Sequence, residues 1–167
     1  LDRRTPQVRM TGVVAALVEV LGDRVDTSLD ALENARADRS GHRAEGLPLA
    51  VVHAESVADV QATLRIASQT RTPVVTRGAG TGLAGGANTG TGEIALSTRR
   101  MTRILEVSPD DLLAVVEPGI LNAELNDALA ASGLWWAPDP ASRTISTVGG
   151  NIATGAGGLL CAKYGVV

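Results

Sequence analysis

Between Thr11 and Leu21 the apolar residues Val13, Val14, Leu17, Val18 and Leu21 recur at helical spacing, with Thr11 placed as N-cap and Gly22 placed to end the helix. Residues 23–46 are charged and keep no sustained period, which predicts a surface connection with one helical turn over Leu29 to Ala35. Leu49 to His53 then reads as a strand. Ser56 opens a helical pattern through Val57, Val60, Leu64 and Ala67, and Pro73 to Thr76 reads as a second strand. Strand, helix and strand in this order predict a parallel βαβ crossover. Ile94 to Ser97, Ile104 to Val107 and Leu112 to Val116 read as three more strands, the last two forming a hairpin across Ser108, Pro109, Asp110 and Asp111. Leu121, Leu125 and Leu129 mark a helix from Leu121 to Ala131, and Gly133 ends it.

The pattern breaks twice. Of the nineteen glycines, seven fall between residues 78 and 92 and six between 149 and 165. Glycine bares the backbone and admits positive φ, so consecutive N–H groups can converge on one anion. A diphosphate fits such a nest, and the stretch from Arg77 to Gly86 follows a predicted strand, where α/β folds bind phosphates. Thr81 adds a hydroxyl donor. The plain alternative is a tight loop with no ligand. Gly80, Gly82 and Gly85 match G-x-G-x-x-G with Glu106 downstream, yet a dinucleotide fingerprint opens a helix, and Ala87-Asn88-Thr89-Gly90-Thr91-Gly92 cannot begin one. A Walker loop is excluded because no Gly-Lys-Ser/Thr occurs.

Composition narrows the classes. The chain has 167 residues, 44% of them apolar, enough for one domain or two small lobes with a proper core. A net charge of -3 and 2% aromatic residues, with no Phe, disfavour nucleic acid as a partner. The apolar runs fall far short of the roughly 20 residues that span a bilayer, and no charged segment followed by an apolar stretch suggests a secretory signal. Cys161 is the single cysteine, which excludes an internal disulfide and agrees with a cytoplasmic location. Lys163 is the single lysine, and the excess of arginine reads as codon bias. The chain starts at Leu1 and stops at Val167 within apolar sequence, as expected of a piece of something longer.

The run Pro73-Val74-Val75-Thr76-Arg77, continued by Gly78-Ala79-Gly80-Thr81-Gly82-Leu83-Ala84-Gly85-Gly86, resembles the pyrophosphate loop of the vanillyl-alcohol oxidase/p-cresol methylhydroxylase flavoproteins. Within that superfamily it looks most like the glycolate oxidase and D-lactate dehydrogenase branch, which Gly80-Thr81-Gly82-Leu83 favours. Pro138-Asp139-Pro140-Ala141-Ser142, Thr147-Val148-Gly149-Gly150-Asn151-Ile152-Ala153, Gly155-Ala156-Gly157-Gly158 and Lys163-Tyr164-Gly165 resemble that branch's second flavin-binding segment. Asp38, Pro48 to Val52, Ser56 and Val60 are also placed as in that family.

The resemblance implies an α+β fold, an FAD-binding domain of two α/β lobes. The divisions are 1–46 as an N-terminal helical segment, 47–92 as a first lobe with parallel strands, and 93–167 as a second, mostly antiparallel lobe that is incomplete. It implies that Arg77, Gly78, Ala79, Gly80, Thr81, Gly82, Leu83 and Gly85 hold the FAD diphosphate. Pro138, Asp139, Ser142, Thr147, Gly149, Gly150, Asn151 and Thr154 would lie along the ribityl chain and ring, with Gly157, Tyr164 and Gly165 closing the site. Thr81 stands where many members carry the His that bonds FAD covalently, so the cofactor is expected to be non-covalent. The implied activity is hydride removal from a small-molecule 2-hydroxy acid. A separate C-terminal substrate domain would supply the base and often a metal, so this chain offers no catalytic residue and no metal site. Other substrate classes of the superfamily, or a non-catalytic phosphate- or nucleotide-binding module, remain as alternatives. The isolated piece is expected to be marginal or self-associating.

Several single residues have plainer readings. Cys161 is expected to be small and buried. His42 and His53 have no acid or metal partner at readable spacing. Trp135 and Trp136 either cover the core or flank the flavin. Arg77 faces either phosphate or a carboxylate, and Arg99, Arg100 and Arg103 form either a solvated face or a carboxylate site.

Overall fold

The computed structural model describes residues 6–167, and side chains from residue 12 onward. Helix α1 (Pro6–Leu21) leads through a 3-10 turn (Gly22–Arg24) into a short strand β1 (Val25–Asp26). Helix α2 (Leu29–Ala35), strand β2 (Ala50–His53), helix α3 (Val57–Thr70), and strands β3 (Val74–Arg77) and β4 (Ile94–Ser97) follow. Strands β5 (Ile104–Ser108) and β6 (Leu113–Val116) and helices α4 (Asn122–Ala130), α5 (Val148–Ala153) and α6 (Cys161–Tyr164) complete the chain. The fold is α+β, as the resemblance implies.

The chain forms two compact units. The first takes the described residues up to Arg77 together with Leu83–Ser97, and the second takes Gly78–Gly82 with Thr98–Val167. Strand β4 is inserted between β2 and β3, parallel to both, with Ala95 opposite Val51 on one side and Val75 on the other. Pairing of this kind is non-local, so no local pattern announces it.

The sheet of the first unit runs β1-β2-β4-β3, with β1 antiparallel at the edge. Ala50, Val51, Val52, Ile94, Ala95 and Leu96 are all buried, the unbroken apolar run of strands covered on both faces. Ala31, Leu32 and Ala35 of α2 cover Val51 and Ala95. Val13, Leu17 and Leu21 bury the inner stripe of α1. That helix begins at Pro6, a residue suited to the first helical turn, so Thr11 lies inside it and is not its N-cap.

Ser56 caps α3 as expected, its Oγ accepting the Asp59 N–H at 3.2 Å. The buried face of α3 is Asp59, Thr63 and Ala67, however, while Val57 and Leu64 are exposed. Both polar residues on that face are satisfied locally. Asp59 Oδ2 accepts the Glu55 N–H at 2.9 Å, and the Thr63 hydroxyl donates to the Asp59 carbonyl at 2.8 Å.

In the second unit β5 and β6 form the expected antiparallel hairpin, with Val107 opposite Ala114 and Ser108 opposite Leu113. Leu112, which the sequence reading placed in the strand, turns the chain at φ 54°. Ile104, Val107, Ala114 and Val116 face a core of Ile120, Leu125, Leu129 and Val148. Trp136 packs against that core, whereas Trp135 is exposed and meets Tyr164 edge-on at 4.9 Å. Cys161, expected to be buried, is exposed, because α6 is a four-residue helix with no buried residue.

Candidate functional site

The two glycine-rich stretches differ in form. Residues 78–93 contain no helix or strand, while the second stretch folds its first glycines into α5. Thr147 caps that helix, its Oγ1 accepting the Gly150 N–H at 3.2 Å. Gly149 is required there by packing, since a Cβ would lie 2.5 Å from Pro118 Cβ and 2.9 Å from its carbonyl oxygen.

The second unit brings the stretches together. A Cβ on Gly78 would overlap Thr147 Oγ1 and would lie 3.7 Å from Gly150 Cα. The loop therefore starts against the capped end of α5, and only glycine fits. Beyond it, the backbone N–H groups of Gly78, Ala79, Gly80, Thr81, Gly82 and Leu83 donate to no other main-chain group among the described residues. Gly80 has φ +69°, a left-handed step of the kind that turns successive amides toward one point. Residues 78–82 and 147–150 carry no charge, so N–H dipoles are what this surface offers an anion.

A buried polar chain fixes the surrounding backbone. Asn122, fully buried, donates through Nδ2 to Asn151 Oδ1 at 3.0 Å and to the Pro138 carbonyl at 2.9 Å. Asn151 Nδ2 donates in turn to Ser146 Oγ at 3.1 Å. Asn151 is thus a buried framework residue. Thr154 is exposed, and its hydroxyl donates to the Gly150 carbonyl at 2.8 Å.

The turn at Pro138, Asp139 and Ser142 is joined to the end of the glycine stretch. The Asp139 N–H donates to the Gly157 carbonyl at 3.0 Å, and Gly158 passes so close to the Asp139 carbonyl that a Cβ would overlap it. The Asp139 carboxylate stands 3.5 Å from Arg143 Nε, and Ser142 lends its carbonyl to the N–H groups of Ile145 and Ser146. Tyr164 rests on Trp135 with Lys163 over its ring, and Gly165 ends α6 at φ +80°.

Arg77, Leu83 and Gly85 belong to the first unit. The Arg77 guanidinium donates to the carbonyls of Ala35 (3.4 Å), Ala37 (2.9 Å) and Ala87 (3.0 Å). Asp38 lies beside that segment. Burial acts to raise its carboxyl, but the Ser40 hydroxyl and the Ser40 and Gly85 N–H groups hold it below its usual range.

Other expected bystanders find partners. Arg103 pairs with buried Glu117 at 2.7 Å, and the Arg103 hydrogen bonds hold the Glu117 carboxyl low. His53 lies 3.8 Å from Asp26, a partner invisible in sequence because β1 has only two residues. Sequence reading also missed Pro118, Asn122 and Ser146. Asn122 reads there as an ordinary polar helix start, and nothing local ties it to Asn151. Among the described residues no three His, Cys, Asp or Glu side chains gather as a metal site, and no helix is long and apolar enough to cross a membrane.

Comparison with known proteins shows the family of the chain. A family model described as FAD binding domain matches residues 48–167. The glycolate oxidase subunit GlcD of Escherichia coli strain K12 is 39% identical over 168 residues, covering 99% of this chain and 33% of that protein. The D-lactate dehydrogenase of Archaeoglobus fulgidus is 43% identical over 117 residues, 70% of this chain and 26% of that protein. The crystal structure of p-cresol methylhydroxylase with substrate bound superposes with a TM-score of 0.76 at 24% identity, covering 93% of this chain and 31% of that one. The chain thus spans about a third or less of the length of these proteins.

Proposed function

The chain belongs to the FAD binding domain family, and from that premise we propose that it holds the FAD, without a covalent bond, of a longer flavin-dependent oxidoreductase acting on a 2-hydroxy acid. The observation that carries the reading is the row of N–H groups from Gly78 to Gly82, unused by the main chain among the described residues and rooted against Thr147. Its chemistry fits a diphosphate: a row of bare backbone donors that starts where a Cβ at residue 78 would collide with Thr147 Oγ1. Ala79, Gly80, Thr81 and Gly82 hold the two phosphates through N–H groups, with the Thr81 hydroxyl as a further donor. Thr81 offers no imidazole for a covalent link.

Thr147, Gly149, Gly150 and Thr154, with Pro138, Asp139 and Ser142, form the surface along the ribityl chain and the ring. Asn151 acts there through Asn122 and Ser146, keeping that backbone rigid. Gly157, Tyr164 and Gly165 close the same stretch. Bound FAD supplies the capacity to accept a hydride, and the residues here bind and orient it. The substrate reading rests on the relatives, whose names specify glycolate and D-lactate, both 2-hydroxy acids. The base that takes the hydroxyl proton would lie in the part of the protein beyond this domain.

FAD titration of the full-length protein, followed by flavin bleaching with glycolate and D-lactate under anaerobic conditions, tests both levels. Binding with bleaching by either acid supports the reading. Binding with no response to either removes the substrate class and leaves the cofactor.

A further inference from the structure

The residue before the loop and the residue after its glycine run are tied to each other. Arg77 ends β3, and its guanidinium reaches across to the Ala87 carbonyl at 3.0 Å, closing the intervening chain into a loop with joined ends. The same group donates to the Ala35 and Ala37 carbonyls at the end of α2. The returning limb is laced to the same connection. The Thr89 N–H donates to the Ala35 carbonyl at 3.0 Å, Asn88 Nδ2 to the His42 carbonyl at 3.0 Å, and the Thr91 N–H to the Glu45 carbonyl at 3.0 Å. The residues from Ala35 to Glu45, which the sequence marks only as a surface connection, hold the return of the loop in place. The leading limb is the contrast, for its N–H groups from Gly78 to Leu83 have no main-chain acceptor among the described residues.

We propose that Arg77 is a positioning residue for the cofactor's diphosphate: its guanidinium fork clamps both ends of the glycine loop to the connection after α2 and so holds the leading amides in their binding arrangement. This rests on the FAD reading above. A planar fork with five donors serves carbonyls in three directions, and the compact ammonium of lysine does not. A loop whose ends are fixed before binding loses less freedom when the anion arrives.

The test compares FAD affinity of the full-length wild type with Arg77→Lys and Arg77→Ala, alongside the melting temperature of each apoprotein. A clamp predicts that both variants lose at least about tenfold in affinity and that lysine rescues little of the alanine loss. If the cation instead acted directly on the phosphates, Arg77→Lys would bind nearly as well as wild type, and that result overturns the proposal. Should the Arg77 variants fail to fold, Asn88→Ala removes only the bond to the His42 carbonyl and is expected to weaken FAD about threefold. Unchanged affinity in that variant also overturns it. Absence of FAD binding by the wild type would defeat the functional reading first, whereas normal wild-type binding with indifferent variants defeats the clamp alone.

Discussion

Gly78 and Thr147 meet so closely that a Cβ on residue 78 would occupy the position of the Thr147 hydroxyl that caps α5. Two stretches of sequence far apart along the chain are joined at that point. Substituting Gly78→Ala is expected to displace the cap, costing about 1–3 kcal/mol as an overpacked site. It should also weaken FAD at least about tenfold, since the first loop amide shifts with it. Denaturant melts and FAD titration of the same variant check both effects, and a fully stable variant with normal affinity would refute the contact.

Gly149→Ala probes the other side of the helix. Its Cβ would lie 2.5 Å from Pro118 Cβ, both on backbone-anchored atoms that have little room to move. A loss of about 1–3 kcal/mol in denaturant unfolding is expected.

Asn122→Ala leaves the Asn151 amide oxygen and the Pro138 carbonyl without their donor inside the unit. The expected cost is about 2–3 kcal/mol, more than for an exposed asparagine, because the buried Asn151 oxygen loses its partner with no water to replace it. Asn151→Ala should show a similar loss. The double variant should cost less than the sum of the two, as a double-mutant cycle will reveal.

Glu117 carries a pH dependence whose sign is fixed by its partner. The Arg103 hydrogen bonds lower its folded pKa below the ordinary value of 4.5. Its contribution is therefore fully present above that value and disappears as pH falls through the lowered folded pKa. Denaturation midpoints of wild type and Arg103→Ala should differ at pH 7 and converge as the medium is taken well below pH 4.5. A difference that stays constant down that range would show that the pair does not contribute.

The sequence made the elements legible wherever apolar spacing is local. The α3 cap at Ser56, the hairpin through Ser108 and the helix through Leu125 and Leu129 all follow from neighbours in the chain. The glycines were equally legible as a demand for bare backbone, and Gly78, Gly149 and Gly158 show which neighbours make that demand. What stayed hidden is non-local. The insertion of β4 between β2 and β3, the link from Asn122 to Asn151 and the reach of Arg77 to Ala37 join residues whose separation no periodicity encodes. Polar burial on α3 was missed because Thr63 bonds within its own turn and Asp59 also faces Arg24, far back in the chain, at 3.5 Å, while Val57 and Leu64 carry the more obvious apolar signal.

Calorimetric titration of the full-length apoprotein with FAD and, separately, with riboflavin, which has the same ring but no phosphate, tests whether the loop from Gly78 to Gly82 binds a diphosphate as proposed. FAD is expected to bind at least about a hundredfold tighter, a margin that charge-assisted N–H contacts to a diphosphate can supply. Equal affinity for the two, or no binding of FAD, would contradict it.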